Sequence, residues 1–253
     1  MDNDDTNLRA LQRRYLIGAA AIAPFTPLLY LQGRVTRWKV GVLSEAAGDK
    51  RGKHGEGDAA KLLVIGESTV AGLGASTHEK ALAGQFARVL SEHIGRAVRW
   101  HVVGKNGVTA RQTIDQLLPL VPDESFDHIL VGLGGNDVLK LSSPRKWRRD
   151  MTELLSLLRQ KNADATIFLT NCPMIIASPV MPQPIKAILW ELSKMHDANI
   201  RELTASMERV FYYPQPIGFH SDGFFADGLH PSEQGYSDWA EAMMEYFTTT
   251  CKW

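Results

Sequence analysis

Uninterrupted apolar runs alternate along this chain with stretches whose apolar residues return every three or four positions. The run Leu62-Leu63-Val64-Ile65 ends at Gly66, as expected of a strand covered on both faces of a parallel sheet. Leu82, Phe86, Val89/Leu90 and Ile94 share one helical face and predict a helix over 81–94. The same pattern predicts strands at 98–103, 128–133, 166–170 and 210–213, and helices at 109–120, 144–160, 184–207 and 231–249. Pro144 suits a first helical turn, and the β-branched and aromatic residues of 166–170 suit a strand. This order predicts an α/β protein: a three-layer α/β/α sandwich with a five-stranded parallel sheet and right-handed crossovers. Ligands of such sheets lie beyond the carboxyl ends of the strands, so the segments that follow the strands are where chemistry is expected.

The first 60 residues break the alternation. A polar start leads to Arg13-Arg14, a charge-free stretch Tyr15 to Leu31 follows, and charge returns at Arg34, Arg37 and Lys39. A stretch of about 17 residues is at the short end of a bilayer span. Pro24 and Pro27 predict a kink, so a kinked span and an interfacial helix both fit. An uncleaved membrane anchor is the first reading. A cleaved signal peptide would use Ala21 and Ala23, but Pro24 would then follow the scissile bond. Arg13 to Ile17 resembles a twin-arginine export signal, and a helix capping the folded domain is the remaining reading. Basic residues flank both ends, so the side of the membrane is not set. Residues 44–60 are rich in Gly, Ala and charge and read as a linker. The expected organisation is an apolar membrane anchor or signal-like segment over 1–40, a linker over 41–60 and a folded domain over 61–253.

Composition narrows the function classes. With 44% hydrophobic and 22% charged residues, the chain is neither disordered throughout nor collagen-like. Lys+Arg and Asp+Glu are both 28, so the basic excess usual for nucleic-acid binding is missing. Cys172 and Cys251 form no zinc spacing and no disulfide framework, which leaves one long-range disulfide open. The eight histidines make no metal constellation, and neither a metal nor a cofactor is expected. His101 and His128 lie in or beside strand runs; His220 with Asp222 is a decoy near the last helix. Lys146, Arg148 and Arg149 read as a solvated helix face.

The segments after the strands carry the candidate chemistry. Gly66-Glu67-Ser68 follows the first strand and places a hydroxyl at a strand-to-helix junction, where serine also commonly caps a helix. The segment lacks the Gly-Lys-Ser/Thr ending of a P-loop and the third glycine of a dinucleotide fingerprint. Gly104-Lys105-Asn106-Gly107 follows the second strand and Gly132-Leu133-Gly134-Gly135-Asn136-Asp137 the third; each alone reads as a turn. In Asp227-Gly228-Leu229-His230-Pro231 the carboxylate can fold back onto Nδ1 of the histidine, leaving the other nitrogen to take a proton; helix capping is the bland alternative.

Taken in order, these blocks resemble the SGNH/GDSL hydrolase superfamily, over about residues 61–250. The resemblance implies a flavodoxin-like sandwich and a serine hydrolase of ester bonds (carboxylesterase, lipase-like or deacylase) working through an acyl-enzyme. It implies Ser68 as nucleophile, His230 as general base and acid, and Asp227 as the group that orients the histidine. The backbone N–H groups of Ser68 and Gly107 and the side-chain amide of Asn136 would form the oxyanion hole. An acyltransferase using the same acyl-enzyme, and a non-catalytic binding module on the same scaffold, are the alternatives. Glu67 stands where the family most often has Asp and reads as structural support, as does Asp137. The implied partner is a small-molecule or lipid-like ester. The Pro-rich apolar stretch 172–182, with Trp190 and Phe224-Phe225, reads as an acyl-binding wall or lid, or as an ordinary buried connection.

Overall fold

The structure, a computed structural model, describes residues 2–41, 43–219 and 221–251. Six strands form one sheet: β1 (Arg51–His54), β2 (Ala59–Gly66), β3 (Ala97–Gly104), β4 (His128–Gly132), β5 (Thr166–Leu169) and β6 (Val210–Tyr212). Their order is β1-β3-β2-β4-β5-β6. The last five are parallel, as expected, and β1 pairs antiparallel with β3 at one edge.

The edge strand corrects two expectations. The sheet has six strands instead of five, and the stretch expected to be a linker contributes one of them. Arg51-Gly52-Lys53-His54 is largely exposed, so it carries no apolar period, and charged residues on an edge strand are the usual guard against edge-to-edge pairing. Gly52 fits because Trp100 lies across it; a Cβ there would sit 2.2 Å from the indole.

The helices cover both faces. On one side α3 (Leu82–Ile94) and α8 (Glu233–Tyr246) pack together; on the other lie α4 (Ala110–Gln116), α6 (Pro144–Lys161) and α7 (Ile185–Ala205). Strand β2 shows why its apolar run is unbroken. Leu62 and Val64 enter the core formed with α3 and α8, while Leu63 and Ile65 enter the core formed with α4 and α6. Truncating Leu62, Leu63 or Ile65 to Ala costs roughly 2–5 kcal/mol in a core that cannot collapse. Two small departures follow from local chemistry. The segment 132–137, read alone as a turn, instead leads into a short helix, α5 (Gly135–Leu139). Lys146 and Arg149 are not simply a solvated face: with Arg111 they neutralise the fully buried Asp150, at 2.6, 2.9 and 3.1 Å respectively. The disulfide left open is not formed, since Cys172 and Cys251 are both free.

The N-terminal segment is two helices, α1 (Asp2–Ile22) and α2 (Thr26–Val40), joined by a 3-10 turn over Ala23–Phe25 that contains Pro24. The stretch Thr6–Trp38, 33 residues, is long and apolar enough to cross a membrane by length and composition. The pair lies against α6 and α7.

Candidate active site

The strand order puts β2 between β3 and β4, with the remaining parallel strands continuing on the β4 side. That is the switch point of a doubly wound sheet, where the loops leaving neighbouring strands part and open a crevice. Ser68 leaves β2, Gly107 leaves β3 and Asn136 leaves β4, so three of the residues singled out in the sequence converge on one rim.

The first loop is set by close packing. Gly66 has φ +154°, and a Cβ on it would come within 2.0 Å of the Gly132 carbonyl oxygen, so the strand ends can approach only as glycines. The chain then turns sharply, with the amides of Val70 and Ala71 both donating to the Glu67 carbonyl at 2.9 Å. Ser68 is left at the top of the turn, largely buried. It is not a helix cap: α3 begins at Leu82, and Ser68 Oγ instead faces His230.

The histidine arrives on a turn that Asp227 organises. Asp227 Oδ1 accepts the backbone amides of Leu229 (2.9 Å) and His230 (2.7 Å), and Oδ2 lies 2.9 Å from His230 Nδ1. The other ring nitrogen, Nε2, lies 3.2 Å from Ser68 Oγ. The capping alternative is excluded for both residues, because Ser232 caps α8 by accepting the Gly235 amide at 3.0 Å. Burial alone would raise the Asp227 carboxyl, but the hydrogen bonds from His230 and Leu229 outweigh it and hold the group below the usual carboxylate range. Asp227 is therefore an anion wherever the histidine needs a negative partner.

The third loop shows what Glu67 does. Its carboxylate receives the backbone amides of Gly135 (2.6 Å) and Asn136 (2.7 Å) and also the Asn136 side-chain amide (2.5 Å). An Asp would be one methylene shorter; the longer side chain reaches across the crevice and fixes Asn136 by both its backbone and its side chain. A carboxamide carries two N–H bonds. One goes to Glu67, and the other has no acceptor among the described residues. Burial pushes the Glu67 carboxyl up to about 7, against the pull of the N–H groups that it accepts. Asp137, the other supporting acid, is fully buried; it accepts the Ala110 amide at 2.8 Å and the Ser142 hydroxyl at 3.1 Å, which ties α5 to α4.

Gly107 sits at φ +84°, and a Cβ on it would meet nothing within 4 Å. The left-handed backbone there favours glycine. Among the described residues, the N–H groups of Ser68 and Gly107 have no protein acceptor, and both residues line the cavity. Two residues that the sequence did not flag hold this loop: Lys140 Nζ donates to the Gly107 carbonyl at 2.6 Å, and Glu45 accepts the Asn106 amide at 3.1 Å. No local motif marks either, since both contacts depend on the folded arrangement.

A family model described as GDSL-like Lipase/Acylhydrolase family matches residues 64–237, which contain Ser68, Gly107, Asn136, Asp227 and His230. The chain belongs to that family. Among its relatives, GDSL-like esterase Rv1075c of Mycobacterium tuberculosis is 24% identical over 189 residues, covering 70% of this chain and 58% of that protein. The chain thus spans well under two thirds of that relative's length. Thioesterase 1/protease 1/lysophospholipase L1 of Escherichia coli K12 is also 24% identical over 189 residues, covering 73% of this chain and 83% of that protein. Among solved structures, the lipase Lip_vut3 from a goat rumen metagenome superposes with a TM-score of 0.58 at 15% identity, covering 74% of this chain and 97% of that one. A Clostridium thermocellum family 3 carbohydrate esterase gives 0.55 at 18% identity, covering 77% and 98%. At these identities the two structures show the shared fold.

The remaining expectations from the sequence meet mixed outcomes. Met174, Ile175, Ser178 and Met181 of the Pro-rich stretch line the cavity over Ser68, as do Phe224 and Phe225. Trp190 does not; it packs against the cluster of Val138, Ile175, Met181 and Leu189. His101 is an acceptor for Arg51 at 3.0 Å, and His128 stacks on Phe168 with its pKa driven to about 4 by burial. His220, of the decoy pair, lies outside the described residues.

Proposed function

We propose that this chain is a serine hydrolase of ester bonds that works through an acyl-enzyme on Ser68. The observation that carries the reading is the Asp227–His230–Ser68 line, with contacts of 2.9 and 3.2 Å. A neutral hydroxyl is a poor nucleophile until a base takes its proton. His230 Nε2 takes that proton as Ser68 Oγ bonds to the ester carbonyl carbon, and the carbonyl π electrons move onto oxygen. The N–H groups of Ser68 and Gly107 and the second N–H of Asn136 receive this oxyanion. Collapse of the intermediate breaks the bond to the alcohol, which leaves with the proton from His230. Water, deprotonated by the same nitrogen, then attacks the acyl-enzyme, and Ser68 is restored as the acid departs. Asp227 stabilises the imidazolium formed in each half. The names of the relatives, an esterase and a thioesterase/lysophospholipase, agree with this reaction class. The N-terminal helices hold the protein at a membrane, a reading supported by the length and hydropathy of Thr6–Trp38.

The test is turnover of short-chain p-nitrophenyl esters with a competing alcohol present. Release of free acid in a burst-then-steady course supports the hydrolase; predominant transfer to the alcohol would point to the acyltransferase, and no turnover of any ester to a non-catalytic module.

Two further outcomes follow from the oxyanion side. Asn136→Ala is expected to lower kcat by about 10^2- to 10^3-fold with little change in KM, because its donor acts on charge that develops only in the transition state. Glu67 must be ionised to accept three N–H groups; once protonated, one oxygen carries a hydrogen that opposes them and Asn136 loses its anchor. kcat is therefore expected to fall on the acid side with a step near pH 7. Glu67→Gln should lower kcat about tenfold, equivalent to one charge-assisted hydrogen bond of ~1.5 kcal/mol, and remove Glu67's contribution to the acid limb. An unaltered acid limb in the variant would contradict this role.

A further inference from the structure

We propose that the N-terminal helix pair is part of the substrate site: it roofs an apolar chamber that ends at Ser68, and the ester it admits is a long-chain acyl ester drawn from a membrane. This rests on the serine-hydrolase reading and names its substrate class and route of entry.

The two faces of α1 and α2 are the reverse of those of a helix docked on a soluble domain. Tyr15, Gly18, Ile22, Leu29, Gly33 and Thr36 recur at helical spacing, are half-buried, and face inward to line the cavity. Other large apolar side chains point away: Leu16, Ile17, Phe25, Leu28, Leu31 and Trp38 are between 56% and 82% exposed. An amphipathic helix that packs on a protein turns its bulky apolar stripe inward. Here a second bulky apolar stripe faces outward, and among the described residues no hydrophobic core cluster includes a residue of α1 or α2. The attachment is polar instead. Arg14 pairs with Glu191 at 2.7 Å, the Tyr15 hydroxyl donates to the Leu141 carbonyl at 2.8 Å, and the Gln32 side chain donates to the Gln183 carbonyl at 2.7 Å.

Beneath the roof the space is unfilled. The cavity holds about 1790 Å³ and is lined by the helix pair, by Ser68 and His230, and by Ile175, Met181, Ile185 and Leu189. Small-molecule sites usually hold roughly 300–1,000 Å³, so this chamber has room for a long acyl chain beside the reacting group. Water in an apolar chamber is displaced favourably by such a chain. A bilayer fits the outer face on two counts. It covers the exposed apolar stripe, and its anionic headgroups complement the exposed Arg13 beside the start of the stripe and the exposed Arg34 and Arg37 near its end, which stand at the cavity's edge. Both the wall of the chamber and the membrane surface thus belong to one helix pair, which lets an acyl chain pass from lipid to Ser68 without crossing water.

The experiment uses the full chain and two inward substitutions, Gly18→Trp and Gly33→Trp. A Cβ at Gly18 meets nothing within 4 Å and one at Gly33 meets only Ile185 Cδ1, at 3.9 Å, so the indole enters the chamber without clashing at its root. The readout is the ratio of kcat/KM for p-nitrophenyl palmitate to that for p-nitrophenyl butyrate in neutral detergent micelles, per site titrated with a fluorophosphonate, so that only folded sites are counted. The ratio is expected to fall at least tenfold, mainly through KM for the long chain. A second arm delivers the palmitoyl ester in phosphatidylglycerol vesicles to a Leu28→Glu, Leu31→Glu variant, where the rate is expected to fall at least fivefold. A ratio indifferent to both inward substitutions overturns the roof, and a vesicle rate indifferent to the outward ones overturns entry from the membrane. Failure of the underlying reading looks different: wild type would then turn over neither ester and would not react with the fluorophosphonate.

Discussion

Ser68→Ala is expected to abolish ester turnover, with a loss in kcat on the order of 10^6-fold, and His230→Ala to come close to it, because a nucleophile and its base act as one unit. The geometry gives the reason. Ser68 Oγ has one ring nitrogen 3.2 Å away and no other side chain in the described structure that could take its proton. Without the hydroxyl no acyl-enzyme forms; without the imidazole the hydroxyl keeps its proton and the leaving alcohol receives none. The double variant should be scarcely worse than either single one, since the second substitution removes a partner that has already lost its role. Thermal unfolding should move little, because Ser68 fills little space and His230 is held by its backbone turn as well as by its ring. Steady-state kinetics beside a melting curve check both halves. Substantial activity in Ser68→Ala would place the nucleophile elsewhere.

Asp227→Asn is expected to lower kcat about 10^4-fold while leaving ester binding nearly intact. Asp227 accepts three N–H groups, two from the backbone of its own turn and one from the imidazole. An amide in its place can keep the backbone contact to Oδ1, but its NH2 faces Nδ1 as a donor. The imidazole must then present an unprotonated Nδ1, which puts the proton on Nε2, where a base is needed. The hydrogen bonds that lower the Asp227 pKa also set the pH behaviour. A carboxyl lowered by folding stays ionised to more acid pH than an isolated one, so Asp227 contributes nothing to the step near pH 7 assigned to Glu67. The variant should therefore lose rate at every pH and keep the Glu67 step. Pre-steady-state kinetics with an aryl ester would show acylation slowed; a loss confined to KM would contradict the account.

How much of this was legible in the sequence depended on whether a residue's partners are local. Strand β2 could be read because burial on both faces leaves an unbroken apolar run. The Asp227–His230 pair could be read because three residues and one glycine suffice to fold it. Ser68, Gly107 and Asn136 follow three separate strands, and only their order along the chain pointed to a shared rim. Strand β1 was hidden because an exposed edge needs no apolar period. The role of Glu67 was hidden for a different reason. Its extra methylene has meaning only against α5, a five-residue helix whose sequence reads as a glycine turn. The N-terminal pair is the clearest limit: hydropathy found its length, but a sum over residues does not distinguish the face that lines a cavity from the face that is left bare.

The most direct measurement is mass spectrometry of the protein after brief exposure to a fluorophosphonate. One adduct per chain is expected, on the peptide that contains Ser68, formed at least a hundredfold more slowly when His230 is replaced by Ala. No adduct, or an adduct on another residue that abolishes turnover, would contradict the claim that Ser68 and His230 form one reacting pair.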